Sequence, residues 1–205
     1  DANVWTVKGM NGDSIWAREA DEKGNHAWHG IDYSTISDTS LVSPEVVVGD
    51  TESLVLTFKH RHSFEASDDP SNPGSTEMWD GGVIEVSSDG GATWQDVSMF
   101  GDPGYGGTIG NQASNPLSNR DAFTDKNESW PGMEPVTVDL GKGLAGKTIQ
   151  IRFRIGSDEA ASEYGWEIDD VGFTGIVGTP FPAIAPDAQS CNPVTDHAPI
   201  ANAGP

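Results

Sequence analysis

Residues 149–155 read IQIRFRI, with Ile149, Ile151, Phe153 and Ile155 on one face and Gln150, Arg152 and Arg154 on the other. A period of two suits a strand with one buried and one polar face, and no amphipathic helix shares it. The pattern returns at 54–64, where Leu54, Leu56, Phe58, His60, His62 and Phe64 line one face. Helical periodicity is almost absent. The remaining apolar runs (VWTV, LVSPEVVV, GGVIEVSS, ATWQDVSMF, PVTVDL and YGWEIDDVGFTGI) are short and β-rich, and Gly, Pro, Asn, Asp and Ser clusters separate them. About eight strands at this spacing predict an all-β fold, an antiparallel β-sandwich of jelly-roll type. Two long loops interrupt them, EASDDPSNPGSTEM and the stretch from Gly101 to Pro135. Loops of that length commonly carry function.

After Ile176 the composition turns to prolines and small residues, which read as an extended linker. The expected division is a jelly-roll domain over 1–177 and a Pro-rich linker over 178–205. A chain that starts at Asp1 and stops at HAPIANAGP reads as a piece of a longer protein.

The 205 residues carry 32 acidic against 11 basic side chains, a net charge of -21. That balance repels nucleic acid and anionic membrane surfaces, so neither is an expected partner. No apolar run is long enough to cross a bilayer, so membrane insertion is not expected either. The acidity suits an extracellular protein in salty medium and supplies oxygen ligands for calcium, although it serves solubility equally well. One cysteine, Cys191, allows no disulfide and no Cys-based zinc site within the chain.

Catalytic signatures are missing. There is no H-E-x-x-H, no G-x-S-x-G, and no glycine pair followed by the Lys and Ser or Thr of a phosphate loop. No catalytic residue is predicted. His60 and His62 stand two apart on one strand face, a spacing open to a metal ion or to two buried, hydrogen-bonded imidazoles. Glu65, at the end of that strand, can bond to one of them or bind a cation.

In WEIDDV, Ile168 and Val171 are three apart, which breaks the alternation. A bulge at Asp169 and Asp170 restores it and turns carboxylate and carbonyl oxygens toward one point, the mixture calcium takes. Asp80 begins a strand beside Gly81 and Gly82, which permit close backbone approach. A structural calcium site is therefore expected, the alternative being carboxylates that only accept backbone hydrogen bonds. The loops MNGDS and READEKGN, with Asp13, Glu19, Asp21 and Glu22, have no fixed ligand spacing and read as solvated. Trp28, Trp79, Tyr105 and Trp130 lie in or beside the expected loops, where aromatic faces either stack on sugars or close over the core. Trp16, Trp94 and Trp166 read as core or hairpin anchors.

Taken in order, LVSPEVVV, LTFKHRHSFE, WDGGVIEVSSDGGATWQDV, PVTVDLGKGLAGKTIQIRFRIGSD and YGWEIDDVGFTGI resemble the jelly-roll accessory domains of secreted bacterial peptidases. Those domains follow fungalysin-like or subtilisin-like catalytic units and are similar to MAM-type and cleaved-adhesin modules. The closing APIANAGP resembles the start of an Ig-like repeat of the polycystic-kidney-disease type. The resemblance implies a secreted, non-catalytic β-sandwich, often with structural calcium, that binds a protein or polysaccharide substrate or packs against neighbouring domains. It matches Asp169, Asp170, Asp80 and Glu85 to acidic positions, and Glu65 with less support. MAM cysteines are missing, so their dimerisation is not implied. A carbohydrate-binding module and an adhesin domain stay open as alternatives, with a hydrolase the weakest.

Residues 87–94, SSDGGATW, fit S-x-D-x-G-x-T-W, the Asp-box spacing that sialidases and other β-propellers repeat. Here it occurs once, and no arginine cluster for a carboxylate substrate is evident. It is expected to close a hairpin, with Asp89 bonding its own turn, Gly90 and Gly91 at positive φ, and Trp94 folded over it.

Overall fold

A computed structural model describes residues 4–9, 16–69, 72–111 and 114–179. Two antiparallel sheets face each other. The first contains β1 (Thr6–Gly9), β4 (Ser37–Val42), β14 (Thr148–Ser157), β9 (Gly81–Ser87) and β10 (Gln95–Asp96) in that spatial order. β5 (Val46–Val48) continues the β4 edge along β14, and β16 (Ile176–Val177) pairs with β5. The second sheet runs β13 (Glu134–Asp139), β6 (Val55–Ser63), β15 (Gly165–Thr174), β3 (His26–Gly30) and β2 (Trp16–Ala20). From β1 to β15 the chain crosses repeatedly between the sheets, the jelly-roll arrangement expected from the strand spacing. Among the described residues there is no α-helix, hence none long and apolar enough to cross a membrane.

The alternation in β14 decides which face is core. Ile149, Ile151, Phe153 and Ile155 are at most 1% exposed and meet Leu54, Leu56 and Phe58 from β6 and its approach. Trp166, the largest fully buried side chain, packs on Phe123 (ring centroids 5.2 Å), Phe153 (5.5 Å) and Trp16 (6.3 Å). Its indole N–H donates to His60 Nδ1 at 3.1 Å.

Both long loops hold short pairs: β7 (Ala66–Asp68) with β8 (Thr76–Met78), and β11 (Gly107–Thr108) with β12 (Asp121–Ala122). Past β12 the chain bridges the sheets at one edge, with Phe123 against Gly82 and Lys126 against Ser63.

READEKGN is exposed throughout, as a solvated stretch should be, but its first three residues are strand rather than loop. Glu19 sits in β2, and the turn is confined to Asp21–Asn25, where Asp21 Oδ1 accepts from the Lys23 and Asn25 amides. The polar residues of this edge strand conceal its period. ATWQDVSMF carries only the two paired residues of β10, then a 3-10 turn over Val97–Met99 capped by Asp96. Residues 180–205 of the expected linker, Cys191 among them, lie outside the described residues, as does Asp13.

The bulge in β15 is present. Its register against β6 shifts between Asp169 and Gly172, and Asp170 has φ 51°. SSDGGATW closes the β9–β10 hairpin as expected. Gly90 and Gly91 have φ 71° and 84°, Asp89 Oδ1 accepts from the Ser87 hydroxyl and the Thr93 amide, and Trp94 Nε1 donates to Gly91 O.

The glycine pair after Asp80 has a steric cause. A Cβ on Gly82 would lie 2.5 Å from the Trp166 ring, which its hydrogen bond and packing hold in place. Gly82→Ala is expected to cost about 2 kcal/mol by overpacking and to lower Tm by about 4–8 °C in calorimetry.

Candidate acidic cation site

Four carboxylates meet at one end of the sandwich. Asp32 follows β3, Glu65 follows β6, Asp80 precedes β9 and Asp158 follows β14, so both sheets contribute. Asp32, Asp80 and Asp158 are 2%, 0% and 4% exposed, and Glu65 is half-buried. One ligand oxygen from each of Glu65, Asp80 and Asp158 lies within 4.8 Å of the other two. Asp32 abuts Asp80 side chain to side chain.

Backbone hydrogen bonds orient the carboxylates. Asp32 Oδ2 accepts from the amides of Glu163 (3.0 Å) and Glu65 (3.3 Å). Asp80 Oδ1 accepts from the Asp158 amide at 2.7 Å and from Asn115 Nδ2 at 3.2 Å. The Glu65 carbonyl accepts from the amides of Trp79 and Asp80, which ties two members of the cluster together. Asn115 Nδ2 also reaches Trp79 O and Gly156 O, locking the 114–120 segment against the same point.

Asp32 Oδ1, Glu65 Oε2 and Asp80 Oδ2 are buried and accept from no amide and no basic side chain. Asp32 and Asp80 bond each other side chain to side chain, which requires a shared proton, because two ionised carboxylates have none to donate. At 4.8 Å, two ionised carboxylates repel by about 3 kcal/mol at an effective dielectric near 20. Among the described residues, none of the four forms a salt bridge with a basic side chain. The donor set is hard oxygen throughout and fits calcium.

The protein alone answers this field by holding protons. Burial, reinforced by Asp32 alongside, pushes the Asp80 carboxyl up to about 9. Burial also raises Asp32, and it raises Glu65 with help from Asp158 and Asp32.

Of the residues read from sequence, Asp80 and Glu65 are in this cluster. Glu85 lies on the outer face of the first sheet, where Arg120 (2.6 Å), Arg152 (2.5 Å) and Arg154 (3.4 Å) share its two oxygens. Asp169 and Asp170 are exposed or nearly so. Asp169 accepts from Asn25 Nδ2, and Asp170 pairs with Lys59 at 2.8 Å. Asp32 and Asp158 escaped the sequence reading because neither stands in a ligand-spaced motif at its strand end. For Asp158 the one signal is position, since the IGSDE ending of β14 finishes beside the DGG start of the neighbouring β9.

The aromatic residues spread over the molecule. Trp28 is in β3, not a loop, and pairs with Ile168 on the inner face. Tyr105 packs under the core, accepts from the Ile84 amide and donates to Asp96, and burial pushes its phenol far up. Trp79 Nε1 donates to Ser67. Trp130 packs on Tyr164 at 5.3 Å, and Tyr164 stacks on His29 at 4.3 Å. His60 and His62 lie side by side with ring centroids 5.1 Å apart, both held down to about 4 by burial and therefore neutral.

No family model matches the chain. Bacillopeptidase F of Bacillus subtilis (strain 168) is 29% identical over 139 residues, 68% of this chain. The match spans only 7% of that protein's length. Among solved structures, TmCBM61 in complex with β-1,4-galactotriose superimposes with TM-score 0.44 at 13% identity, over 83% of this chain and 88% of that one. The glycoside hydrolase domain of Endo-D from Streptococcus pneumoniae R6 gives 0.46 at 13%, over 83% and 22%.

Asp80 carries a proton in the folded, cation-free protein, whereas the unfolded group titrates near 3.8. Its contribution is fully present below about pH 4 and is lost as pH rises toward and through 9. His60 and His62 act in the opposite sense, but only below about pH 6.5, because both are neutral in either state above it. Between pH 7 and 9, urea unfolding of chelator-treated protein should therefore show stability falling, by about 1.4 kcal/mol per pH unit for one proton taken up on folding. Asp80→Asn should flatten that slope.

Proposed function

We propose that the chain is a non-catalytic accessory domain of a secreted bacterial peptidase, that calcium held by Asp32, Glu65, Asp80 and Asp158 ties its two sheets, and that it serves substrate binding or packing against neighbouring domains. The observation that carries the reading is the convergence of carboxylate oxygens of Glu65, Asp80 and Asp158 within 4.8 Å of one another, from strand ends of both sheets and with no basic side chain beside them. Placement beside a peptidase is supported by the likeness to Bacillopeptidase F, over a stretch the size of one domain in a far longer protein. The ordered motifs from LVSPEVVV to YGWEIDDVGFTGI point the same way.

Calcium would meet hard oxygens already aimed by backbone amides, so little ordering would remain at binding. The ion would replace the proton on Asp80 and neutralise the mutual repulsion. It acts here as a structural tie, and no reacting group lies beside it in this reading.

At calcium a hundredfold above Kd, mass action adds about 2.7 kcal/mol of stability, or about 5–10 °C in Tm for a domain of this size. Calorimetry of chelator-treated protein titrated with calcium should show that rise, and Asp80→Asn should abolish it. An unchanged Tm in the unaltered protein would remove calcium from the reading. The peptidase part fails if the gene that contains this chain encodes no peptidase unit.

Carbohydrate binding is a second reading, favoured by one contiguous aromatic surface on the outer face of the second sheet. Trp130, Tyr164 and His29 form it, edged by Arg61 and Glu167, which are bonded to each other and to the Tyr164 hydroxyl. Sugar rings stack on such faces. On this reading, affinity electrophoresis in soluble polysaccharides should show retardation that Trp130→Ala reduces at least about fivefold, roughly the 1 kcal/mol one stacking contact supplies.

A further inference from the structure

A cavity of about 460 Å³ opens at the other exposed flank of the second sheet, beside edge strand β13 and beneath the 102–106 and 123–128 segments. Its floor is His60, His62 and Phe123, all buried, with Phe123 edge-on to His60 at 4.7 Å. Glu134 enters from β13. Asp102 and Glu128 stand on the lining with Lys126, so three carboxylates face one ammonium.

The donors and acceptors can be assigned. An indole N–H only donates, so His60 Nδ1 accepts from Trp166 and the His60 proton sits on Nε2, toward Glu134. That nitrogen therefore has no lone pair for a metal ion. The His60–Glu134 separation of 3.6 Å is too long for a good hydrogen bond. Glu134 Oε2 is taken by the Ser129 hydroxyl at 2.9 Å. Burial pushes Glu134 up, but hydrogen bonds from Ser129 and Asn127 outweigh it and keep the carboxyl below its ordinary range. It faces the cavity as an anion beside a neutral imidazole. The His62 ring bonds the Thr124 backbone, and both residues, each 4% exposed, are held as a closed part of the wall.

The cavity thus offers an uncompensated carboxylate, an aromatic floor and a lining with more acidic than basic residues. It is short of positive charge. A neutral sugar would bring as many acceptors as donors. A protonated amine or a guanidinium brings donors only, carries the missing charge, and can lie against Phe123.

We propose that this cavity receives a basic side chain, lysine or arginine, of a polypeptide bound along the β13 edge. The occupant is argued from charge complementarity and from the free edge strand, since an extended peptide can align with an unpaired strand. This rests on the accessory-domain reading, of which it names the ligand, and it is independent of the calcium site.

The test is calorimetric titration of the full chain in calcium with Gly-Lys-Gly and Gly-Arg-Gly tripeptides blocked at both termini. Gly-norleucine-Gly, which keeps the stem and loses the charge, and glucosamine are the comparison ligands. The expected result is binding of the lysine or arginine tripeptide at least about tenfold tighter than the norleucine one, with Glu134→Gln weakening it by a similar factor. Equal binding of lysine and norleucine tripeptides, or no binding of any tripeptide at millimolar concentration, overturns the proposal. Binding of glucosamine alone also overturns it and assigns the cavity to an amino sugar. If Glu134→Gln unfolds the chain, the norleucine comparison decides without a variant. Calcium-dependent melting without tripeptide binding removes this inference and leaves the accessory-domain reading standing.

Discussion

Buried negative charge without buried positive charge is the constraint around which one end of this sandwich is arranged. Asp32, Glu65, Asp80 and Asp158 come from the ends of four strands, two in each sheet, and amide donors hold them in place. Those same amides belong to cluster members and to Glu163, so the strand ends and the carboxylates fix one another. Asn115 adds the 114–120 segment to the knot. With the charges unbalanced the arrangement resists closure. Held by protons or by a cation, it pins both sheets at one corner.

Glu85 makes the contrast plain. It is as buried as the cluster members, but Arg120, Arg152 and Arg154 surround it and Trp94 lies on Arg152 with the guanidinium 4.4 Å from the ring. Just ahead of the same strand, Asp80 has carboxylates for neighbours. The same chemical group therefore closes an ion-pair network on the outer face of β9 and meets only its own kind at the strand's start. Asp89, in the hairpin that follows, does neither. Three hydrogen bonds from Thr93 and Ser87 hold it down to about 2, as part of a turn.

The strand pattern was legible because one face of β6 and of β14 is apolar at every second residue. The bulge in β15 was legible because Ile168 and Val171 fall out of step. β2 and β3 were not, since an edge strand with a solvated face has no apolar period to display. Within the cation site, Asp80 is conspicuous through its two glycines and Glu65 through its place at a strand end. Asp32 and Asp158 are brought in by register alone: β14 pairs Gly156 with Gly81, which sets Asp158 beside Asp80. No local motif encodes that distance. For Asp169 and Asp170 the local pattern gave the backbone shape, while Lys59 and Asn25, from other strands and turns, determined what the side chains meet.

The two concentrations of negative charge differ in what they leave unsatisfied. At the corner site the free groups are oxygens only, sealed from solvent and within a few ångströms of each other, which suits an ion stripped of most of its water. Beside β13 the charge lies on an open cavity with an acidic lining and an aromatic floor, which suits a charged group on an apolar stem. Both regions are built on the same strands. β6 carries His60 and His62 and ends two residues before Glu65, while β9 begins just after Asp80 and supplies the Gly82 against which Trp166 packs. Trp166 in turn fixes the tautomer of His60. The two regions share that scaffold but no side chain, and whatever energy couples them through it acts equally in both directions.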